Sequence, residues 1–348
     1  MISFLAGLQD RFGPFRLFES YSVLIVVGMY LGFFLSWIAI AKLSGRLPTD
    51  RGREFAVENA KSKGKPTGAG IIFISVFAAT TLLCTPLTLE IVVVVALAFV
   101  AMLSGYFDDA SNKPWGEYTK GLVDLAIAVA AAVALWLIGD RTIWLPFAKD
   151  VYEMHFWSYI PYATLLVWIA INTTNCSDGV DGLSGTLVMV SLIMLGVLFY
   201  FVLGHKDISA YLLLPHLPEG ARWSVMTFTL VGCLLAYLWF NAFPSRVLMG
   251  DAGSRALGFF LGVAILKTGN PFLYVTLATV LLVNGGTGLV KVAFLRFLKI
   301  RIFHNTRFPL HDHMRQSHNW SNTQVVMNFL IIQILATIGL LGIILKLR

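Results

Sequence analysis

Apolar residues gather along this chain in blocks of about twenty, broken by short polar stretches, and Tyr21 to Ala41, Ile91 to Tyr106 and Leu330 to Leu345 are the plainest. A helix of that length spans a hydrocarbon layer of roughly 30 Å, so each block predicts a membrane-crossing helix. Ten runs qualify, at 20–41, 68–85, 89–106, 119–139, 158–172, 184–203, 222–241, 254–267, 272–297 and 322–345. The breaks between them leave no room for an appended soluble domain. The expectation is an all-α polytopic membrane protein, a single integral membrane domain over 1–348 with about ten transmembrane helices.

Composition sharpens this picture. Hydrophobic residues make up 57% of the 348 positions and charged ones 13%, where a soluble domain carries roughly a quarter charged. A secreted disulfide scaffold, a coiled coil, a disordered chain and a nucleic-acid binder are excluded as primary readings. Cys84, Cys176 and Cys233 lie far apart, without disulfide or zinc spacing. The N-terminal stretch lacks a cleavage site behind a short apolar run, so no removable signal peptide is expected.

The net charge of +7 reads as topology. An even number of spans places both ends on one side, and the loops then fall into two sets. The set at 42–67, 107–120, 173–183, 242–255 and 291–318 holds 17 of the 26 Lys and Arg residues. Positive charge marks the cytoplasmic side, so both termini are expected outside.

Polarity beside a membrane is costly, and here it is one-sided. Asp108 and Asp109 end the third span; Asn172, Asn175, Asp178 and Asp181 follow the fifth; Asp251 and Ser254 follow the seventh; His311, Asp312, His313 and Arg315 precede the tenth. All four clusters fall on the predicted cytoplasmic face, so four junctions are expected to surround one cavity. Adjacent carboxylates such as Asp108 and Asp109 repel unless a cation offsets them, and Mg²⁺ prefers one or two carboxylates plus water and phosphate. A solvated helix end is the bland reading of that pair.

The segment from Asn172 to Gly182 has two Asp-Gly steps, in which Gly179 and Gly182 allow a ligand close to the backbone. The spacing of a calcium loop is missing. Met249 to Ser254 places a carboxylate and a hydroxyl at the start of an apolar helix, where exposed amides favour an anion such as a diphosphate, or where Asp251 or Ser254 simply caps the helix. His311 and His313 flank Asp312 and suit phosphate binding or proton transfer. Lys61, Lys63 and Lys65, ahead of Pro66-Thr67-Gly68, read equally as an anion-holding run or a topology signal. Arg296, Lys299 and Arg301, interleaved with Phe294, Phe297 and Phe303, suggest either a helix emerging along the lipid surface or a plain extension of the ninth span.

Carboxylates, glycine turns, basic groups and histidines on one membrane face fit phosphoryl transfer between a soluble diphosphate donor and a lipid phosphate, with or without a covalent aspartyl intermediate. An ion-coupled transporter is the reading from another class, disfavoured because the acids sit at one face and not at mid-membrane.

Lys63 to Thr67, Asp108-Asp109, Asn172 to Gly182, Met249 to Gly258 and Arg301 to Val326 together resemble the successive signatures of the phospho-N-acetylmuramoyl-pentapeptide transferases, the MraY type. The likeness runs from Leu47 to the C-terminus. It implies Mg²⁺-dependent transfer of phospho-N-acetylmuramoyl-pentapeptide from its UDP carrier to undecaprenyl phosphate, in a bacterial cytoplasmic membrane, giving UMP and the first lipid intermediate of peptidoglycan synthesis. The related polyprenyl-phosphate hexosamine transferases are the alternative. A homodimer is compatible with either.

By the same resemblance, Asp251 is expected as a Mg²⁺ ligand with Asp178, Asp108 as nucleophile or base, and Asp109, His311 and His313 as catalytic neighbours. Lys63, Thr67, Asn172, Asn175, Asp178, Gly179, Asp181 and Ser254 are expected to bind substrate. The chain departs from the family in reading His311-Asp312-His313 where three histidines are usual, in having Leu248 where an aromatic is common, and in setting Lys63 one position closer to the glycine.

Overall fold

The apolar runs fold as helices because that conformation alone satisfies every backbone amide within its own segment when no water is present. The computed structural model describes residues 13–52, 63–111, 113, 115–148 and 150–346, together with 7 and 10. Its helices are α1 (Tyr21–Leu43), α2 (Gly70–Cys84), α3 (Leu89–Ala110), α4 (Glu117–Ile138), α5 (Phe156–Cys176), α6 (Leu183–Leu203), α7 (Lys206–Tyr211), α8 (Gly220–Asn241), α9 (Gly250–Lys267), α10 (Phe272–Leu277), α11 (Thr279–Leu298), α12 (Leu310–Ser317) and α13 (Asn322–Lys346). Among the described residues two three-residue strands, β1 (Thr142–Trp144) and β2 (Val151–Glu153), pair antiparallel, and Thr49 bridges Pro66, so the chain is not wholly helical.

Among the described residues seven helices, α1, α3, α4, α6, α8, α11 and α13, are long and apolar enough to cross a membrane. The runs predicted at 68–85, 158–172 and 254–267 are helical but fall short of that measure. α2 has 15 residues, α5 is diluted by Ser, Tyr, Thr and Asn, and α9 carries Asp251, Arg255 and Lys267. Apolar side chains such as Val26, Tyr30 and Phe34 on α1 and Ile331, Leu335 and Ile338 on α13 face outward, as a lipid-facing surface requires.

α9 is the axis of the structure, and every residue from Gly250 to Leu266 is buried. It packs on α3 and α5, with α2 and α6 closing around it. Small residues permit these close approaches, the usual solution where lipid offers no hydrophobic drive between helices. A methyl group on Gly105 of α3 would collide with the Asp251 carbonyl, so α3 and α9 touch backbone to backbone next to their acidic residues.

The run predicted as one span at 272–297 is broken. Ala278 leaves helical geometry, with φ −125° and ψ 27°, and separates α10 from α11. The buried Gln333 of α13 supplies the missing bonds: the Val280 amide donates to its Oε1 at 2.9 Å, and its Nε2 donates to the Leu277 carbonyl at 2.8 Å. No local breaker announces this interruption, because the partner that permits it lies in another helix. The basic and aromatic stretch also resolves: α11 runs on through Leu298 and ends at Lys299 in left-handed conformation, which matches plain helix extension as far as Phe297 and leaves Arg301 and Phe303 beyond it.

Candidate active site

Asp251 lies in the first turn of α9, Asp108 in the last turn of α3 and Lys120 in the first turn of α4. Three helix ends thus meet, and Lys120 Nζ ion-pairs with the Oδ2 atoms of both Asp108 and Asp251, the latter at 2.8 Å. The carboxylates are nearly fully buried, their side chains 4% and 6% exposed. Buried charges of one sign persist only when cations and hydrogen bonds compensate them. Asp108 Oδ1 also accepts from the Trp115 amide at 2.7 Å, and Asn175 Nδ2 donates to Asp251 Oδ1 at 3.2 Å and to Ser254 Oγ at 3.1 Å. Asn175 comes from the last turn of α5, so a residue of the second polar cluster meets residues of the third beside Asp108 of the first.

Asp109 has a different task. Its Oδ1 and Oδ2 accept the Asp251 and Ala252 amides, each at 3.0 Å. The anion expected on the α9 N-terminus is therefore a carboxylate of the chain itself, which complements the helix dipole and leaves that terminus no open amides at these positions. Ser254, considered as a cap, donates to the Gly250 carbonyl at 3.0 Å instead.

A second group lies along the turn after α5. Asp181 Oδ2 accepts the Ser245 amide at 3.0 Å and sits 3.6 Å from Lys65 Nζ, which also donates to Ser245 Oγ at 2.9 Å. Asp178 lies in the same turn, its amide donating to the Asn175 carbonyl at 3.1 Å. His311, 2% exposed, packs its imidazole against Gly179, where a methyl group would collide with the ring. Its amide donates to Asn284 Oδ1 at 2.9 Å, and Asn284 Nδ2 donates to Ser177 Oγ at 2.9 Å. The ligand close to the Gly179 backbone is thus a histidine from the fourth cluster.

Other expected residues sit apart. Asn172 donates back to the Trp168 carbonyl of its own helix at 2.9 Å. His313 faces Ser317 at 3.1 Å and stacks edge-on with His318. Thr67 is buried, its amide bonded to the Pro48 carbonyl. Lys63 is exposed in the turn before it, and Lys61 lies outside the described residues.

Sequence reasoning passed over three participants: Lys120, Asp124 and Arg255. A signal existed, because Asp124 lies inside an apolar run, Arg255 in the predicted span 254–267, and each stands four residues from a charged partner on the same helix face, Lys120 and Asp251. Arg255 Nη2 lies 3.5 Å from Asp251 Oδ2 and 4.0 Å from Asp108 Oδ2, and its Nη1 lies 3.4 Å from Asp124 Oδ1.

Hard oxygen donors dominate the cluster, and the Lys120 ammonium marks a point where two carboxylates already converge on one positive charge. Those are the donors Mg²⁺ takes. No group of three His, Cys, Asp or Glu side chains placed to hold a metal ion occurs among the described residues.

The family model for glycosyl transferase family 4 matches residues 91–269, from α3 through α9, and so spans the Asp108, Asn175 and Asp251 junctions. Among curated relatives, the phospho-N-acetylmuramoyl-pentapeptide-transferase of Treponema pallidum (strain Nichols) is 48% identical over 351 residues, covering 100% of this chain and 97% of the relative. The protein of that name from Opitutus terrae is 32% identical over 364 residues, with 96% of each covered, and that from Aquifex aeolicus 29% over 346 residues, with 95% of each covered. A buried acidic junction at matched helix ends, on a membrane scaffold aligned over its whole length, carries one conclusion: this chain is a transferase that belongs to the phospho-N-acetylmuramoyl-pentapeptide transferases of glycosyl transferase family 4.

Proposed function

We propose that the protein transfers phospho-N-acetylmuramoyl-pentapeptide from UDP to undecaprenyl phosphate, releasing UMP and forming the first lipid intermediate of peptidoglycan, at the cytoplasmic face of a bacterial plasma membrane. The observation that carries this reading is the convergence of Asp108, Asp251, Asn175 and Lys120 at one end of the helices that hold them. It is supported by the name shared by relatives aligned over the full chain. The charge asymmetry of the loops supports the orientation, with ten crossings and both termini outside.

In the reaction, an oxygen of the acceptor phosphate bonds to the sugar-bearing phosphorus while that phosphorus loses its bond to the UMP oxygen. Charge develops on the equatorial and leaving oxygens, so the protein's work is positioning and electrostatic stabilisation. Lys120 is held between two carboxylates and places an ammonium where the transferring phosphate passes. Asp251 and Asp178 would hold Mg²⁺, which supplies neutralisation of the donor's diphosphate when bound. Asn175 fixes the Asp251 carboxylate from behind. Asp108, anchored by the Trp115 amide, presents its carboxylate as base in this direct transfer; as nucleophile it would first bond to the sugar-bearing phosphorus as UMP leaves, and the acceptor oxygen would then displace the carboxylate. His311 stands over the Asp178-Gly179 turn, where an imidazole contacts phosphate oxygens, and Asp181, Lys65 and Lys63 extend the polar lining toward the nucleotide.

The test is UMP release from detergent-purified protein given undecaprenyl phosphate and either UDP-N-acetylmuramoyl-pentapeptide or UDP-N-acetylglucosamine. Release with the first alone is expected. Release with the second alone would make the chain a hexosamine-phosphate transferase.

A further inference from the structure

The guanidinium of Arg255 has three carboxylates around it, Asp108, Asp124 and Asp251, at 4.0, 3.4 and 3.5 Å. Its side chain is 1% exposed, and that of Asp124 is 5% exposed. Neither is well served by hydrogen bonds, since Arg255 Nε and Nη1 and Asp124 Oδ1 are buried without a hydrogen-bond partner. A buried ion pair with such geometry gives little stability, and an apolar pair of the same volume is often as good or better. Fold stability therefore does not account for this arrangement.

Its place does. Arg255 stands one turn after Asp251 on α9, its guanidinium 6.0 Å from the Trp115 ring that precedes α4, and Asp124 draws it from α4. The acidic junction counts four carboxylates, Asp108, Asp109, Asp124 and Asp251, against two cations, Lys120 and Arg255. Two formal negative charges remain, the charge of one divalent cation. Arg255 competes with that cation for Asp251, while Asp124 takes up part of the guanidinium's charge.

We propose that Arg255, with Asp124 as its counter-charge, is a positioning residue that sets how tightly the Asp251 carboxylate holds the divalent cation. The inference rests on the transferase reading of the same site. Because Arg255 acts through Asp251 and not on substrate, the two substitutions have opposite signs. Arg255→Leu leaves more uncompensated negative charge and tightens cation binding. Asp124→Asn releases the guanidinium onto Asp251 and weakens it. Removing both restores the balance.

The experiment measures Mn²⁺ binding to the full chain in detergent micelles, from the paramagnetic resonance signal of free Mn²⁺, beside the Mg²⁺ concentration that half-saturates UMP release. At separations near 4 Å in a partly buried site, the Kd for Mn²⁺ is expected to fall about fivefold or more in Arg255→Leu and to rise about fivefold or more in Asp124→Asn. The double variant is expected within about twofold of wild type, because the positive charge lost with Arg255 is offset by the negative charge lost with Asp124. Arg255→Lys keeps the charge and stays near wild type; if Arg255→Leu does not fold, Arg255→Lys and Asp124→Asn decide the matter. Unchanged Kd values, or shifts of one sign in both single variants, would overturn the proposal while wild-type UMP release still stands. A wild type that binds Mn²⁺ but releases no UMP would instead sink the transferase reading of the site.

Discussion

Lys120 Nζ and Asp251 Oδ2 meet at 2.8 Å from positions 131 residues apart in the chain. One ammonium thereby bridges the acidic ends of α3 and α9 from a third helix. Replacing Lys120 with Met leaves Asp108 and Asp251 facing each other without their shared cation. Loss of a preorganised electrostatic group of this kind costs about 10²- to 10³-fold in kcat, and Lys120→Arg is expected to recover part of it. Initial rates of UMP release, with protein amount normalised by monodisperse elution, check both.

Asp251→Asn keeps the shape of the side chain and can still face Asn175 and Lys120 without a formal charge. Mg²⁺-dependent turnover is expected to vanish while the thermal unfolding temperature in detergent stays close to wild type. Wild-type rates from this variant would remove Asp251 from the metal role.

Asp109 fastens the α9 N-terminus through two amides. Asp109→Ala exposes both donors in a buried place, and the cost is about 1–2 kcal/mol of stability, the upper range for a lost helix cap. Asp109→Asn retains one acceptor and is expected to lose less. Urea or thermal unfolding of the purified protein ranks the two, and activity should fall in parallel because the Asp251 backbone is one of the anchored groups.

Gly105→Ala puts a methyl group into the Asp251 carbonyl. Overpacking of this kind costs about 1–3 kcal/mol, and the strain falls on the contact that sets α3 against α9. Both a lower unfolding temperature and a lower kcat are expected, whereas Gly121→Ala, where an added methyl group would meet nothing within 4 Å, is expected to leave the unfolding temperature unchanged.

How far the sequence reaches can be judged from individual residues. Apolar runs gave the helices, because in lipid burial and backbone satisfaction demand the same thing of every span. The convergence of Asp108, Asn175 and Asp251 was legible from polar groups collecting at alternate junctions. Pairings between distant helices were not. Lys120 reads as one more loop cation until α4 is packed beside α9, and Asp109 looks equivalent to Asp108 until its oxygens are seen on the α9 amides. Arg255 and Asp124 are readable in principle, since charges inside apolar runs demand a reason, but their pairing across α4 and α9 is not. The break at Ala278 left no local trace at all.

That break gives α13 more to do than anchor the chain in lipid. Gln333 splints the join between α10 and α11, α11 carries Asn284, and Asn284 braces both His311 and Ser177. Mechanical load on the C-terminus is thus transmitted to the histidine wall, and a bulky fusion that tilts the final helix is no neutral handle for purification.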